Sequence, residues 1–592
     1  MKTKAVVALL VALLVVVSGC IGGGTQEKST PSATSQPHEQ SETQTTSSAP
    51  TNTQREAQDQ TNLKTVNFSE LFSKVIQLSL NPTVIEKGNL TIEYDGKRIH
   101  GRYDFVISNL SESVFYLGAM GLPDDPTALI LNVSIEGTPL NLSRLKGYRA
   151  GSEEVYGTRI KPSYLIVYEI PVDSSKSSIK GTITYSLKYP LFLDDFWQYA
   201  GSPIMGFSIT NSKSFGLNLT YSLPEGYSLV IPGYGVLTGS GRISGDRLMD
   251  SLHCSFIRRG EIVSEKFSVS GINVTVYLAS SQYVPEGWNK TIALIKQAIG
   301  LYYNITGVRP VNSTYIVFNP DFSRSFAPEP EMGIIIIGGR SNIRILYERK
   351  PNSLPHELAH LWFAGYVGES PFNEGFATYF ETLAIQRFTP WGKLYLKRQE
   401  DNIEKYGTIS INEAYKLTET GQHALNMSVS VVIYQKVNFF LRSLQYLLGD
   451  ETFSKGIHTL LERCHGKEYT LTDIQKSFEK ASGKDLDWFF DEWINSIALP
   501  DYKVTQLKIS ENGGGYNLTF TITDANNFTM PVPIRIYLEN GEYLDERIWV
   551  NGTATVSLEL PGKPVKIVID PEEVMANVNR ESRVNDVAVK VD

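Results

Sequence analysis

The sequence predicts a multidomain α+β protein with three structured regions. These are an N-terminal antiparallel β domain, a mixed α/β domain that continues into helices, and a C-terminal β-sandwich. Three observations support this. Short apolar–polar alternations punctuated by Gly, Pro, Asn and Ser fill residues 63–271. Strand and long helical patterns share residues 272–500. Two-residue alternation returns over 501–577. The chain has 592 residues, too many for a single core. Its apolar fraction of 41%, with 31 Tyr, 26 Phe and 7 Trp, can fill several.

The chain begins with a targeting segment, residues 1–20. Lys2 and Lys4 precede an apolar run from Ala5 to Val17, the layout of a signal peptide and short for a membrane span. Val17-Ser18-Gly19-Cys20 resembles a prokaryotic lipobox, which implies cleavage before Cys20 and lipidation of its thiol. An uncleaved anchor reaching Ile21 is the alternative, and either holds the protein at the extracellular face of the cell membrane. Residues 21–62 are rich in Thr, Ser, Gln, Glu and Pro, with no aromatic residue before Phe68. Such a segment cannot bury enough apolar surface to offset its ordering entropy. It reads as a disordered tether with a typical reach of roughly 35 Å. Fourteen N-x-[ST] sequons between Asn67 and Asn551 agree with exposure to a glycosylating exterior.

Within 63–271, the runs Leu90–Tyr94, Tyr103–Ile107, Ala128–Val133, Tyr164–Tyr168 and Gly181–Tyr185 read as strands of an antiparallel sandwich or a large curved sheet. No group of chemically active residues stands out there. Asn273–Leu278, Thr314–Phe318 and Gly333–Gly339 read as strands of the next region, and Glu286–Tyr303 has helical periodicity. The net charge of −8 and the absence of a long basic run give no reason to expect nucleic acid as a partner. Only three Cys occur, Cys20, Cys254 and Cys464, so a disulfide framework or a C-x-x-C cluster is excluded. Pairing of Cys254 with Cys464 stays open beside two buried free thiols.

The strongest chemical signal runs from Pro355 to Glu381. It opens with His356-Glu357-Leu358-Ala359-His360. On a helix, residues four apart share a face, so both imidazoles can aim at one point. Two imidazoles at this spacing suit zinc, and Glu357 stands beside them as a candidate general base. Pro355 belongs in the first helical turn, where its missing N–H costs little. A catalytic zinc site takes three protein ligands. The next candidate is Glu374 in Asn373-Glu374-Gly375-Phe376-Ala377, with Asn373 as an N-cap. Glu381, seven residues on, shares its face and is placed to hydrogen-bond a ligand.

These residues resemble the aminopeptidase N family of gluzincin zinc metallopeptidases, which pairs H-E-x-x-H with a downstream N-E-G-F-A-x-Y-x-E. The resemblance implies a thermolysin-like catalytic domain over 272–500. It implies one zinc ion per chain, held by His356, His360 and Glu374, with Glu357 as base. Ile433-Tyr434-Gln435-Lys436 resembles the family's Tyr-x-Lys-Gly, whose Tyr donates to the oxyanion, and Val437 stands in place of the Gly. Leu447–Phe453 and Ser482–Ile494 also match family patterns, and the C-terminal part ending in Val565–Pro571 resembles the family's small β-sandwich. Thirteen residues separate His360 from Glu374, fewer than in the family. The family's amine-binding Gly-x-Met-Glu-Asn corresponds to Ala327–Gly333 here, with Pro330 in the position of its Glu. Glu329 or Glu331 could take over the substrate amine after a one-residue adjustment.

Helical patterns continue over Leu383–Phe388, Val431–Leu448, Thr452–Cys464, Leu471–Ala481 and Asp485–Ser496, and Pro500 ends them. The runs Val504–Ser510, Tyr516–Ile522, Val532–Leu538, Glu546–Val550 and Ala554–Leu560 alternate as strands of the sandwich. Residues 578–592 are polar and expected to be loose. The expected partners are peptide substrates and a membrane. The leading reading is a surface-anchored zinc aminopeptidase. The alternatives are a zinc endopeptidase or altered-specificity peptidase lacking the amine anchor, and a non-catalytic surface binding module. The oligomeric state stays open.

Overall fold

In a computed structural model, residues 62–586 are described apart from 68–69, 72–73, 76, 79–81, 121–124, 126, 151–152, 156–157, 161–164, 191–202, 320–321, 323–324, 339–352, 369, 421–426 and 576–583. The Cys20 lipobox, all of the tether but residue 62, and the tail beyond 586 lie outside the described residues.

The core of the first β region lies between two large sheets, beside a three-stranded sheet (235–238, 227–231, 256–259) and a two-stranded pair (153–155, 158–160). A seven-stranded sheet runs in the order 240–245, 212–222, 84–94, 98–108, 178–188, 129–135, 138–140. A five-stranded sheet runs in the order 63–66, 147–150, 165–171, 114–120, 207–209. Alternation explains their pairing. Leu90, Ile92, Tyr103 and Phe105 point from one sheet into a core shared with Phe115, Leu117 and Val167 of the other. The edge of Phe115 meets Phe105 across it at 6.1 Å. The pairings are mostly antiparallel, but 212–222 runs parallel to 84–94, and 63–66 parallel to 147–150. A short helix, Leu248–His253, packs into the same core with Arg247 at its start, ahead of the strand 256–259 that pairs with 227–231.

The central sheet comprises β1 (Ile262–Val269), β2 (Ile272–Ala279), β3 (Ser313–Phe318), β4 (Phe326–Glu329) and β5 (Ile334–Ile337), in the order β1-β2-β3-β5-β4. β1 lies before residue 271 in the chain but belongs here. It is hairpinned to β2 through Ser270 and Gly271, both at positive φ. α1 (Pro285–Thr306) makes the crossover between the parallel strands β2 and β3. β5 is Ile-Ile-Ile-Ile because both faces of this sheet are covered. Ile334 and Ile336 pack on the first β region, and Ile335 and Ile337 pack on the helices.

Those helices are α2 (Leu354–Ala359), α3 (Asn373–Phe388), α4 (Gly392–Tyr406), α5 (Ile411–Thr420), α6 (Met427–Val431), α7 (Val437–Leu448), α8 (Asp450–Cys464), α9 (Leu471–Ser482) and α10 (Asp487–Asn495). A single π-turn, Val432–Lys436, joins α6 to α7 and interrupts what the sequence reads as one helix. Cys254 and Cys464 are buried free thiols. The last region holds β6 (Tyr502–Asn512), β7 (Gly515–Asp524), β8 (Thr529–Leu538), β9 (Tyr543–Asn551), β10 (Thr553–Leu560), β11 (Pro564–Ile569) and β12 (Val584–Asp586). Their order is β6-β7-β10-β9-β8-β11-β12. β9 and β10 pair only at Asn551 and Thr553 beside the Gly552 turn, so two half-sheets share a core of Leu518, Phe520, Ile522, Val532, Ile534 and Ile536. β12 falls within the stretch expected to be a loose tail. It pairs with β11, whose outer edge would otherwise offer unpaired backbone groups.

Candidate metal centre and active site

The site is built where α2, α3 and the π-turn meet. α2 is six residues long, and Pro355 lies in its first turn. His360 follows its last residue but keeps helical dihedrals (φ −62°, ψ −18°), so it still stands one turn above His356. Three anchors fix α2. Tyr302 of α1 donates to the Pro355 carbonyl at 2.9 Å, and its ring meets Trp362 and Phe380 edge-on. Trp362 Nε1 donates to the Val308 carbonyl at 2.8 Å. Phe363 stacks on Phe376 of α3 with centroids 4.5 Å apart.

His356, His360 and Glu374 converge. Nε2 of His356 lies 3.0 Å from Glu374 Oε2 and 3.2 Å from Nε2 of His360. Nε2 of His360 lies 3.5 Å from Glu374 Oε1. The other ring nitrogens determine the tautomers. Nδ1 of His360 faces the Phe363 carbonyl at 3.0 Å, which can only accept. Nδ1 of His356 faces Glu381 Oε2 at 3.2 Å. With both Nδ1 atoms donating, the imidazoles in their neutral form and the carboxylate would present three acceptors to one point. The chemistry of that donor set suits a cation. The three ligand atoms lie within 4.8 Å of one another, and all three residues are buried. Among the described residues the other such group is Glu479, Asp485 and Asp487, in which both aspartates are exposed.

Burial opposes charge throughout this site, but the groups offset it for one another. Glu374 and Glu381 hold His356 well above the usual imidazole range, and the two histidines hold Glu374 well below the usual carboxylate range. Glu357 is 2% exposed, and burial pushes its carboxyl up to about 7 against the pull of both imidazoles. Tyr434 reaches the site from the π-turn. Its ring lies over His356 with centroids 5.8 Å apart and planes within 14°.

The shortened connection between His360 and Glu374 is held by the segment after α8. Gly368 N–H donates to the Lys467 carbonyl at 2.7 Å, and Gly466 N–H to the Tyr366 carbonyl at 2.9 Å. The Tyr366 ring stacks on His465 at 4.1 Å. A Cβ on Gly368 would lie 2.7 Å from the Lys467 carbonyl carbon, so glycine permits this approach. Asn373 does not cap α3. Phe372 occupies the cap position, and Asn373 is the first helical residue. Its side chain instead accepts from the Tyr469 hydroxyl at 2.7 Å, because the start of α3 is buried and its polar groups are satisfied from within.

Glu329 ends β4, and Glu331 lies in the turn that follows. Neither carboxylate stands alone. Arg247 Nη2 lies 3.0 Å from Glu329 and 3.2 Å from Glu331, and Arg247 also pairs with Asp250. Burial and the adjoining carboxylates push Glu329 well above the usual carboxylate range. Arg247 was not legible as a site residue, since 82 residues separate it from Glu329. The carbonyl of Phe363, the hydroxyl of Tyr469 and the π-turn also carried no local signal.

Residues 344–493 match the model of the peptidase family M1 domain. The alanine/arginine aminopeptidase of Saccharomyces cerevisiae is 25% identical over 214 residues, covering 34% of this chain and 25% of that protein. Aminopeptidase 2 of Candida albicans is 25% identical over 227 residues, covering 36% of this chain and 24% of that protein. The chain thus spans about a quarter of the length of these curated relatives. A crystal structure of Legionella pneumophila aminopeptidase A in complex with aspartic acid aligns with a TM-score of 0.46 and 12% identity, over 84% of this chain and 59% of that one. The segment that is similar to the peptidase family M1 domain contains the converging His356, His360 and Glu374 together with Glu357, Glu381 and Tyr434.

Proposed function

We propose that this protein is a zinc metallopeptidase that removes N-terminal residues from peptides. The convergence of two imidazole Nε2 atoms and the Glu374 carboxylate, with Glu357 and Tyr434 beside them, carries this reading. The donor set fits zinc, which takes imidazole and carboxylate ligands in three-ligand catalytic sites. Bound there, zinc would supply Lewis-acid activation of water and polarisation of a carbonyl. Glu381 and the Phe363 carbonyl hold the two imidazoles in the tautomer that presents Nε2. Glu357 takes a proton from the attacking water and passes it to the leaving amine nitrogen. The Tyr434 hydroxyl donates a hydrogen bond to the oxygen of the scissile carbonyl as negative charge develops there. Glu329 or Glu331 receives the substrate's α-ammonium.

A second reading, a peptidase indifferent to the free N-terminus, is favoured by one observation. Arg247 already pairs with both Glu329 and Glu331. Aminoacyl reporters tested beside N-acetylated peptides, with and without chelator, decide between the two. Chelator-sensitive cleavage of free N-termini alone supports the first reading, and cleavage of blocked peptides supports the second. No cleavage by the zinc-loaded protein refutes both.

We also read residues 1–20 as the signal that anchors the chain at the outer cell face through Cys20, with 21–62 as tether. Cys20→Ala should release the protein from the membrane fraction, and unchanged partitioning would contradict lipid anchoring.

A further inference from the structure

Lys436 is 0% exposed, yet it is a cation. Burying an ammonium group costs several kcal/mol unless its donors are satisfied. Here Nζ donates to the carbonyls of Ser496 at 2.6 Å, Ile497 at 3.0 Å and Ala498 at 3.5 Å. These are the first carbonyls beyond α10, before the chain enters β6. All three acceptors are backbone groups with no charge of their own, so burial holds the ammonium down to about 8. An apolar side chain would fill such a position at lower cost. The location of Lys436 supplies a reason for the cation.

Lys436 is the last residue of the π-turn, and Tyr434 lies two residues before it. Two residues along a helical backbone rotate a side chain by roughly 200°, so the two side chains leave the turn on opposite sides. Tyr434 faces His356 from one side, while Lys436 is tethered on the other. A third side of the turn is fixed by α3. A Cβ on Gly375 would lie 2.2 Å from Val437 Cγ1 and 3.0 Å from the Ile433 carbonyl oxygen. A π-turn is rare because the α-helical pairing is favoured over it, and here the Val437 N–H reaches back to the Val432 carbonyl. Relaxing the insertion to an α-helix would rotate Tyr434 relative to His356.

We propose that Lys436 is a positioning residue that clamps the π-turn so that the Tyr434 hydroxyl points into the reaction centre. The proposal rests on the reading of Tyr434 as oxyanion donor. The clamp acts on turnover through Tyr434 and contributes nothing to zinc binding.

The test is a double-mutant cycle in the full-length zinc-loaded protein, with an aminoacyl reporter as probe. Tyr434→Phe should lower kcat by about 100- to 1000-fold. Lys436→Met should lower kcat by at least about 10-fold with KM and zinc content near wild type. Added to Tyr434→Phe, it should cost less than about 2-fold more, because both act on one interaction. Lys436→Arg, which keeps the charge and the donors, should recover part of the loss. Three outcomes overturn the proposal: wild-type kcat in Lys436→Met, additive losses in the double variant, or loss of zinc and of folded protein in both Lys436 variants, which would make Lys436 a fold residue. Wild-type activity in Tyr434→Phe would instead refute the oxyanion reading beneath it.

Discussion

Replacing Gly375 by Ala would place a methyl carbon 2.2 Å from Val437 Cγ1, 2.6 Å from Val437 Cβ and 3.0 Å from the Ile433 carbonyl oxygen. Carbon atoms settle at about 3.5–4.0 Å, so α3 and the π-turn would have to part by roughly 1.5 Å. Overpacking of this kind costs about 1–3 kcal/mol. Its direction matters more than its cost. Glu374 precedes Gly375 in the first turn of α3, and Tyr434 follows Ile433, so the same displacement draws a ligand from the histidines and the hydroxyl from the reaction centre. A misplacement of about 1 Å can cost about 100-fold in rate. We expect Gly375→Ala to weaken zinc binding by about 10- to 100-fold, measured by competition with a chromophoric chelator, and to lower kcat with it. Val437→Gly removes the two nearest clashing atoms. The double variant should recover most of the zinc affinity despite the roughly 1 kcal/mol helix cost of glycine. Wild-type zinc affinity and turnover in Gly375→Ala would refute the claim that this contact sets the position of Glu374.

Two further predictions test other parts of the structure. Glu381→Gln should keep the fold and weaken zinc binding by about 10- to 100-fold, since it alters the partner that orients His356 Nδ1; unchanged affinity in a chelator titration would show that the partner is dispensable. Glu492 of α10, which accepts from the Thr529 N–H, is pushed by burial from its ordinary 4.5 up to about 7. Its proton is bound more tightly in the folded state, so its stabilisation is complete below about pH 4.5 and lost as pH rises through about 7. Glu492→Gln should therefore gain more in melting temperature over wild type at pH 8 than at pH 5. An equal difference at both values would contradict the shift.

Much of the site was legible because helical geometry converts spacing into position. His356 and His360 at four residues, and Glu374 and Glu381 at seven, needed only the helices to form. The strands of all three regions were legible from alternation, and β5 from a bare run of four Ile. What escaped the sequence depends on long-range approach. β1 carries a strand pattern, but nothing local says that it joins β2 and β3 rather than the sheets before it. Asn373 has the composition of a cap and serves another purpose, because Tyr469 arrives from 96 residues away. The π-turn lies in a stretch buried on nearly all sides, so no single apolar face marks the phase shift of the inserted residue. Arg247 became relevant only when the fold brought it to Glu329 and Glu331.

The central claim is zinc-dependent hydrolysis with Glu357 as the base. Its most direct test is turnover of an aminoacyl reporter by the wild type and by Glu357→Gln, each assayed with its zinc content. The account predicts one zinc per chain in both proteins. Wild-type activity should be abolished by chelation and restored by zinc, and turnover in the variant should be lower by about 100- to 10,000-fold. Chelator-resistant activity in the wild type, or near-wild-type turnover in zinc-loaded Glu357→Gln, would contradict it.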